Sequence, residues 1–167
     1  MKQQVILLNG PSSSGKSTLA KALQTLISND GDRRYEVVSI DDFMKISKTE
    51  TIYEDDVFEI SGDMCKKALE ILEAGSGVII DHVITSERIF DQLTESLSSF
   101  CLLKVRVTCP SDILRSREIK RGDRCPGSAE SSEKYLFPKE GYDIVVDTGT
   151  KPPEENARAI MERVKRP

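Results

Sequence analysis

Gly10-Pro-Ser-Ser-Ser-Gly-Lys-Ser17 is the stretch from which the rest of this chain can be read. It fits G-x-x-x-x-G-K-[ST] in full, the pattern of a loop that cradles phosphate groups. By average residue usage the pattern arises by chance in about one chain of this length in two hundred. Its surroundings fit as well. Val5-Ile-Leu-Leu8 is a short apolar run that predicts a strand, and residues 18–27 predict a helix. Strand, glycine loop and helix in succession is the context the motif requires. Gly10 and Gly15 let the backbone bend and approach a phosphate without a Cβ in the way. Loop N–H groups and the positive helix end then face the anion. Lys16 has the reach for the β- and γ-phosphates, and the Ser17 hydroxyl suits Mg²⁺.

Outward from the loop, Leu19, Ala22, Leu23, Leu26 and Ile27 recur at helical spacing, and Asn29-Asp-Gly-Asp32 ends that helix. Residues 35–40 form a second predicted strand, closed by Asp41-Asp42. A polar piece runs to about Tyr53. Val57, Ile60, Met64, Ala68, Ile71 and Leu72 mark the next helix, which stops at Ala74-Gly75. Val78-Ile-Ile80 is apolar throughout, as burial on both faces of a parallel sheet demands, and ends in Asp81-His82. A helix over 86–97, a strand over 101–107 and a helix from Pro110 to about Lys120 follow. Residues 121–127 read as a loop leading into the serine-rich piece 127–132, 142–147 as a fifth strand, and Pro152 opens a last helix. Strands alternating with helices predict an α/β fold: a five-stranded parallel sheet with helices on both faces, three layers in all. Residues 1–167 are expected to form a single domain. Ligands of such sheets sit at the carboxyl ends of the strands. Gly10, Asp41 and Asp81 all follow predicted strands and should meet on one rim.

Composition narrows the function. The chain has 167 residues and a net charge of −4, without the basic excess of a dedicated nucleic-acid binder. Met1-Lys-Gln-Gln and four apolar residues make no signal peptide, and no apolar run is long enough to span a bilayer. The cysteines (Cys65, Cys101, Cys109, Cys125) are scattered with no Cys-x-x-Cys pair, which points to reduced thiols and a cytoplasmic protein.

Chemistry is expected from a small set of side chains. Asp41 lies at the strand end where an acceptor would sit beside a γ-phosphate, and its carboxylate can take a hydroxyl proton. Its competing role is to cap the next turn. Asp42, its neighbour, points to a different side. Asp81 fits the acid that helps hold Mg²⁺, with a plain strand-end aspartate as the alternative. His82, the sole histidine, has no histidine partner for a metal and reads as a packed ring, with a pocket-lining role as the alternative. Arg117 and Arg121 share one helix face and Arg124 follows after Gly122-Asp123. Three guanidinium groups leading into a Gly/Ser-rich loop predict a lid over about 117–134 that neutralises charge on a transferred phosphoryl group. A solvated basic face is the alternative.

Neither D-x-x-G nor N-K-x-D occurs, nor a G-x-G-x-x-G fingerprint or an L-S-G-G-Q signature. A small kinase remains. Residues 6–17, Ser39-Ile-Asp-Asp42, Ile79-Ile-Asp-His-Val83, Ser116-Arg-Glu-Ile-Lys-Arg-Gly-Asp-Arg124 and Tyr142-Asp-Ile-Val-Val-Asp-Thr148 resemble, in order and over nearly the whole chain, those of chloramphenicol 3-O-phosphotransferase and its relatives. The resemblance implies a P-loop kinase fold like that of nucleoside-monophosphate kinases, and transfer of the ATP γ-phosphoryl group to an alcohol. It implies that Asp41 activates the hydroxyl and that Arg117, Arg121 and Arg124 are lid arginines. Nucleotide binding then falls to Gly10, Pro11, Ser12, Ser13, Ser14, Gly15, Lys16, Ser17 and Thr18 with Arg117 and Arg121, catalysis to Asp41, Lys16 and Arg124, and Mg²⁺ to Ser17 and Asp81. The partner is a small-molecule alcohol, with no nucleic acid and no membrane. Two stretches depart from the family pattern. The third strand ends in Asp-His where Asp-Asp is expected, and residues 43–56 do not match. Phe43, Met44, Tyr53 and Phe58 could line an acceptor pocket or belong to the core. Other acceptors open to the same fold are adenylylsulfate, shikimate, a nucleotide or a nucleotide-sugar. An ATP-binding module without chemistry is the third alternative, and a polynucleotide end kinase is disfavoured by the charge.

Overall fold

Strand β1 (Gln4–Asn9) is the middle of the sheet, and its burial on both faces explains its unbroken apolar run. The protein is described by a computed structural model covering residues 4–31, 33–44 and 51–164. After β1 come α1 (Lys16–Asn29), β2 (Tyr35–Ser39), α2 (Glu54–Glu73), β3 (Gly77–His82), α3 (Glu87–Ser96) and β4 (Cys101–Thr108). The chain continues through α4 (Ser111–Arg121), α5 (Ser128–Tyr135), β5 (Ile144–Asp147) and α6 (Pro153–Val164). The five strands pair in the order β2-β3-β1-β4-β5, all parallel.

Alternation along each strand feeds two cores. Val5 and Leu7 of β1 pack with Val78 and Ile80 of β3 beneath Met64, Ala68 and Leu72 of α2 and Ile89 and Leu93 of α3. Ile6 and Leu8 face the other way, with Ile79, against Leu19 and Leu23 of α1 and Ala157 and Ile160 of α6. The expected three layers follow directly from this split.

The register places the catalytic candidates. Leu8 lies opposite Asp81, and Asp81 opposite Ser39, so the ends of β1, β3 and β2 are level. A short 3₁₀ turn, Ile40–Asp42, follows β2 and carries Asp41 onto that rim.

Two boundaries differ from the sequence reading for identifiable reasons. The fifth strand starts at Ile144, not at 142. The Tyr142 hydroxyl is engaged by Asn9 and the Pro138 carbonyl, and the Asp143 carboxylate accepts the Lys104 N–H at 2.7 Å, where a strand would offer a backbone carbonyl. The serine-rich piece expected as loop is largely helix, α5. Its first N–H groups are taken by the Glu118 carboxylate, from Gly127 at 3.0 Å and Ala129 at 2.8 Å. A cap delivered from another helix is invisible to local pattern.

Asn9 joins three parts of the rim. Its amide donates to the Phe137 carbonyl and the Tyr142 hydroxyl, both at 2.9 Å, and its oxygen accepts the Ile84 N–H at 2.9 Å. Asn9 is fully buried. Asn9→Ala is therefore expected to destabilise the protein by about 2–4 kcal/mol in urea unfolding, because buried partners lose their bonds without gaining water; a loss under about 0.5 kcal/mol would show that this junction carries no weight.

Candidate active site

The loop between β1 and α1 is built around a buried ammonium group. Lys16 is 6% exposed, and its Nζ donates to the Pro11 carbonyl at 2.8 Å and to Ser14 Oγ at 3.4 Å. Burial pushes its pKa down, while Asp81 and then Asp41 oppose the shift and Arg121 and Arg124 add to it. Ser13 takes the left-handed backbone conformation at φ 64°, unusual for a residue with a Cβ. Its hydroxyl is buried and has no hydrogen-bond partner in the protein. Gly15 sits at φ 84°, just ahead of α1. Gly10 has a second requirement that the sequence does not show. A Cβ there would lie 2.5 Å from the Val107 carbonyl of β4, so packing against the sheet by itself demands glycine.

Ser17 Oγ donates to Asp81 Oδ2 at 2.7 Å, and Ser39 Oγ approaches the same oxygen at 3.4 Å. Asp81 itself is 4% exposed. Ser12 to Thr18, Asp41, Asp81, Arg117, Arg121 and Arg124 all line one cavity of about 950 Å³; Gly10 and Pro11 form the buried root of the loop.

The two neighbouring aspartates separate cleanly. Asp41 faces the cavity; Asp42 is exposed. Arg124 Nη2 donates to Asp41 Oδ2 at 2.7 Å, and Arg121 Nη2 lies 3.5 Å from the same oxygen. Arg117 behaves differently. Its guanidinium donates to the Thr148 hydroxyl at 3.1 Å and to the Thr148 carbonyl at 2.9 Å, which roots it beside β5. The sequence groups three arginines as one set; the geometry divides them into one tethered and two paired with Asp41.

Other residues at the site carry no signal that the sequence reading used. The Ser12 N–H donates to Ser132 Oγ at 2.9 Å, so α5 touches the phosphate loop. Glu118, 8% exposed, fixes the start of α5. Glu118 and Thr148 both stand inside the blocks quoted above, yet nothing local distinguishes a surface glutamate or a strand-end threonine from these.

Of the four candidates for an acceptor pocket, Met44 alone lines the cavity. Phe43 packs on the core, Tyr53 is 64% exposed, and Phe58 lies under Arg88, 3.8 Å from its guanidinium. Residues 45–50 of that stretch lie outside the described residues. Ile52, Val57, Val83 and Ile89 complete an apolar wall. His82 answers to both readings: it is fully buried, with Ser61 Oγ 2.8 Å from its Nε2, and it lies among the residues that line the cavity. Among the described residues no helix is long and apolar enough to cross a membrane.

A family model described as chloramphenicol phosphotransferase-like protein matches residues 3–165. The chain belongs to that family. A Mycobacterium tuberculosis protein named "Putative O-phosphotransferase" is 29% identical over an alignment that covers 95% of this chain and 81% of that protein. The fold is that of P-loop kinases. The APS kinase CysC of Mycobacterium tuberculosis, solved with AMPPNP and APS, superposes with a TM-score of 0.79 at 15% identity, over 98% of both chains. A gluconokinase from Sinorhizobium meliloti superposes with a TM-score of 0.75 at 18% identity, over 99% of this chain and 93% of that one.

Burial drives the His82 pKa down to about 4, with a smaller push from the Lys16 charge; a backbone hydrogen bond with Val83 and the Asp41 carboxylate act the other way. Below the unfolded value of about 6.5 the unfolded chain takes the proton more readily. Stability is therefore intact above pH 6.5 and falls as pH drops toward 4. As the chain holds one histidine, its single imidazole resonance should titrate near pH 4 by NMR. A midpoint near 6.5 would contradict the burial argument.

Proposed function

We propose that this protein is an ATP-dependent kinase that transfers the γ-phosphoryl group to a hydroxyl of a small organic molecule. The observation that carries this reading is the meeting of Asp41 with Arg124 and Arg121 in the cavity lined by the phosphate loop. An acid, a pair of arginines and an anion cradle share one rim. Membership of the chloramphenicol phosphotransferase-like family supports the reaction type, as does the printed name of the mycobacterial relative. Chloramphenicol is the first acceptor to test.

The polyphosphate of ATP lies in the loop of residues 10–18. The Ser13 hydroxyl, buried without a protein partner, and the strained Ser13 backbone suit a loop made to close on an anion. Lys16 leaves the Pro11 carbonyl for the phosphate oxygens. Ser17 and Asp81, two hard oxygen donors 2.7 Å apart, are the residues that would hold Mg²⁺. Such an ion neutralises charge between the β- and γ-phosphates.

Arg121 and Arg124 exchange Asp41 for the γ-phosphoryl group as nucleotide binds. Asp41 is thereby freed to accept the acceptor's hydroxyl proton as its oxygen attacks phosphorus in line. The arginines compensate the charge that builds on the transferred group. Residues 117–134 act as the lid of one kinase domain, hinged beyond Arg117, whose tie to Thr148 holds it in place. Met44, Ile52, Val57, Val83 and Ile89 offer the acceptor an apolar wall. A reduced, cytoplasmic setting accords with four free cysteines.

The test is transfer of label from γ-labelled ATP to chloramphenicol and to a panel of metabolite alcohols with coupled ADP detection. Mg²⁺-dependent ADP release that rises with one acceptor is expected. Asp41→Asn should lower transfer roughly 10²- to 10⁴-fold while ATP still binds. Arg124→Ala should lower it roughly 10²- to 10³-fold. Full turnover by the asparagine variant would remove Asp41 as the base, and ATP binding with no product from any acceptor would leave a binding module.

A further inference from the structure

Thr148 stands immediately after β5, away from the cavity, and its side chain is the point where three elements of the site are tied together. Its hydroxyl donates to the Ser14 carbonyl in the phosphate loop. A lone pair on the same oxygen accepts the Arg117 Nη1–H at 3.1 Å. The Thr148 carbonyl accepts from Arg117 Nη2 at 2.9 Å, so the guanidinium grips one residue through two bonds. The Thr148 N–H donates to the Thr108 carbonyl of β4 at 3.0 Å. On either side the chain is pinned as well: the Gly149 N–H donates to Asp147 Oδ1 at 2.7 Å, and Asn156 donates to the Asp147 carbonyl at 2.9 Å. The hydroxyl is thus presented from a rigid frame. It has one proton, and the long alternative acceptor, the Thr108 carbonyl at 3.3 Å, competes poorly with Ser14.

The consequence follows from peptide geometry. A trans peptide unit points its C=O and its N–H in opposite directions. Holding the Ser14 carbonyl toward Thr148 turns the Gly15 N–H away from Thr148, toward the cavity that Gly15 lines. Without that anchor the Ser14 carbonyl loses its side-chain partner, and Gly15, at φ 84°, puts little steric resistance in the way of a turn of the Ser14–Gly15 peptide. The same oxygen sets Arg117, whose Nη1 lies 3.3 Å from where a Cβ on Gly15 would be. The Thr148 hydroxyl is therefore the one group that bonds both the loop backbone and Arg117 Nη1, while the Thr148 carbonyl and Cys109 Sγ, at 3.5 Å from Nη1, hold the guanidinium as well.

We infer that Thr148 is a positioning residue for nucleotide binding, one that aims the Gly15 amide and seats Arg117 through its hydroxyl without touching the nucleotide. This rests on the kinase reading above. It makes a demand that a merely structural residue would not: the hydroxyl matters and the methyl group does not.

The experiment compares Thr148→Val, which keeps the shape and removes the hydroxyl, with Thr148→Ser, which keeps the hydroxyl and removes the methyl. Affinity for Mg·AMPPNP is measured by calorimetry on the full chain, independent of any acceptor, alongside thermal unfolding. Thr148→Val should weaken binding roughly tenfold to a hundredfold, as expected when a buried carbonyl and a guanidinium both lose a partner, and Thr148→Ser should stay within about threefold of the natural protein. In turnover the valine variant should show a raised KM for ATP with a smaller change in kcat. If the valine variant fails to fold, Thr148→Ala against Thr148→Ser gives the same comparison. Wild-type affinity in the variants lacking the hydroxyl, or equal weakening in serine and valine, would overturn the inference while leaving the kinase reading intact. A natural protein that does not bind Mg·AMPPNP would overturn both.

Discussion

The interaction on which the site depends is the burial of the Lys16 ammonium in a loop that gives it one carbonyl and one hydroxyl. A buried cation with so few direct partners is costly and is tolerated only with opposite charge nearby. Asp81 and Asp41 supply that charge from the ends of two other strands. The parallel sheet makes this possible. Level strand ends, set by the Asp81–Ser39 and Asp81–Leu8 register, bring residues far apart in sequence to one rim. Remove the sheet order and the lysine has no counter-charge.

The arginines extend the same balance. Arg124 is nearly buried, with 7% of its side chain exposed, whereas Asp41 retains 37%. An ion pair with one partly wet partner is weakly held and readily exchanged. In the proposed exchange Arg124, packed into the wall, would stay at the cavity and the carboxylate would be the group set free. This asymmetry suits the proposed mechanism better than a fully buried pair would, because breaking a buried pair leaves a stranded charge at a cost of several kcal/mol, about 3–5 by general experience. Arg117 lies outside this exchange. Its bonds to Thr148 keep it fixed while its two neighbours change partners.

Much of this was legible in the sequence because it is local. The phosphate loop, the apolar runs of β1 and β3 and the alternation of strands with helices each depend on residues a few positions apart, so the α/β fold and the three-layer arrangement follow from pattern alone. Topology alone puts Asp41 and Asp81 on one rim. What escaped was long-range capping and tethering. Glu118 makes a helix of a serine-rich segment eleven residues on, Thr148 reaches back to Ser14 across 134 positions, and Asn9 meets Tyr142 across 133. At Gly10 the local pattern points to phosphate and does not reveal that a carbonyl on a neighbouring strand also forbids a side chain. Such partners are set by the fold as a whole.

The two ends of the cavity are built on different principles. At the phosphate end the chemistry is largely backbone: loop amides, strand ends and the start of α1, with glycines at the turns. At the acceptor end it is side chains from separate elements, with Met44 beyond β2, Val57 on α2, Val83 after β3 and Ile89 on α3. Backbone features survive wide sequence change, as a shared fold at 15% identity with an APS kinase and 18% with a gluconokinase illustrates. Side-chain walls do not. The same frame can thus keep one phosphate site while the wall is rewritten for another alcohol. Met44 and Ile52 bring that wall from the stretch 43–56, the part of the chain whose local pattern resembles the family least, so under the proposed reading acceptor choice would be made there and not in the loop of residues 10–18.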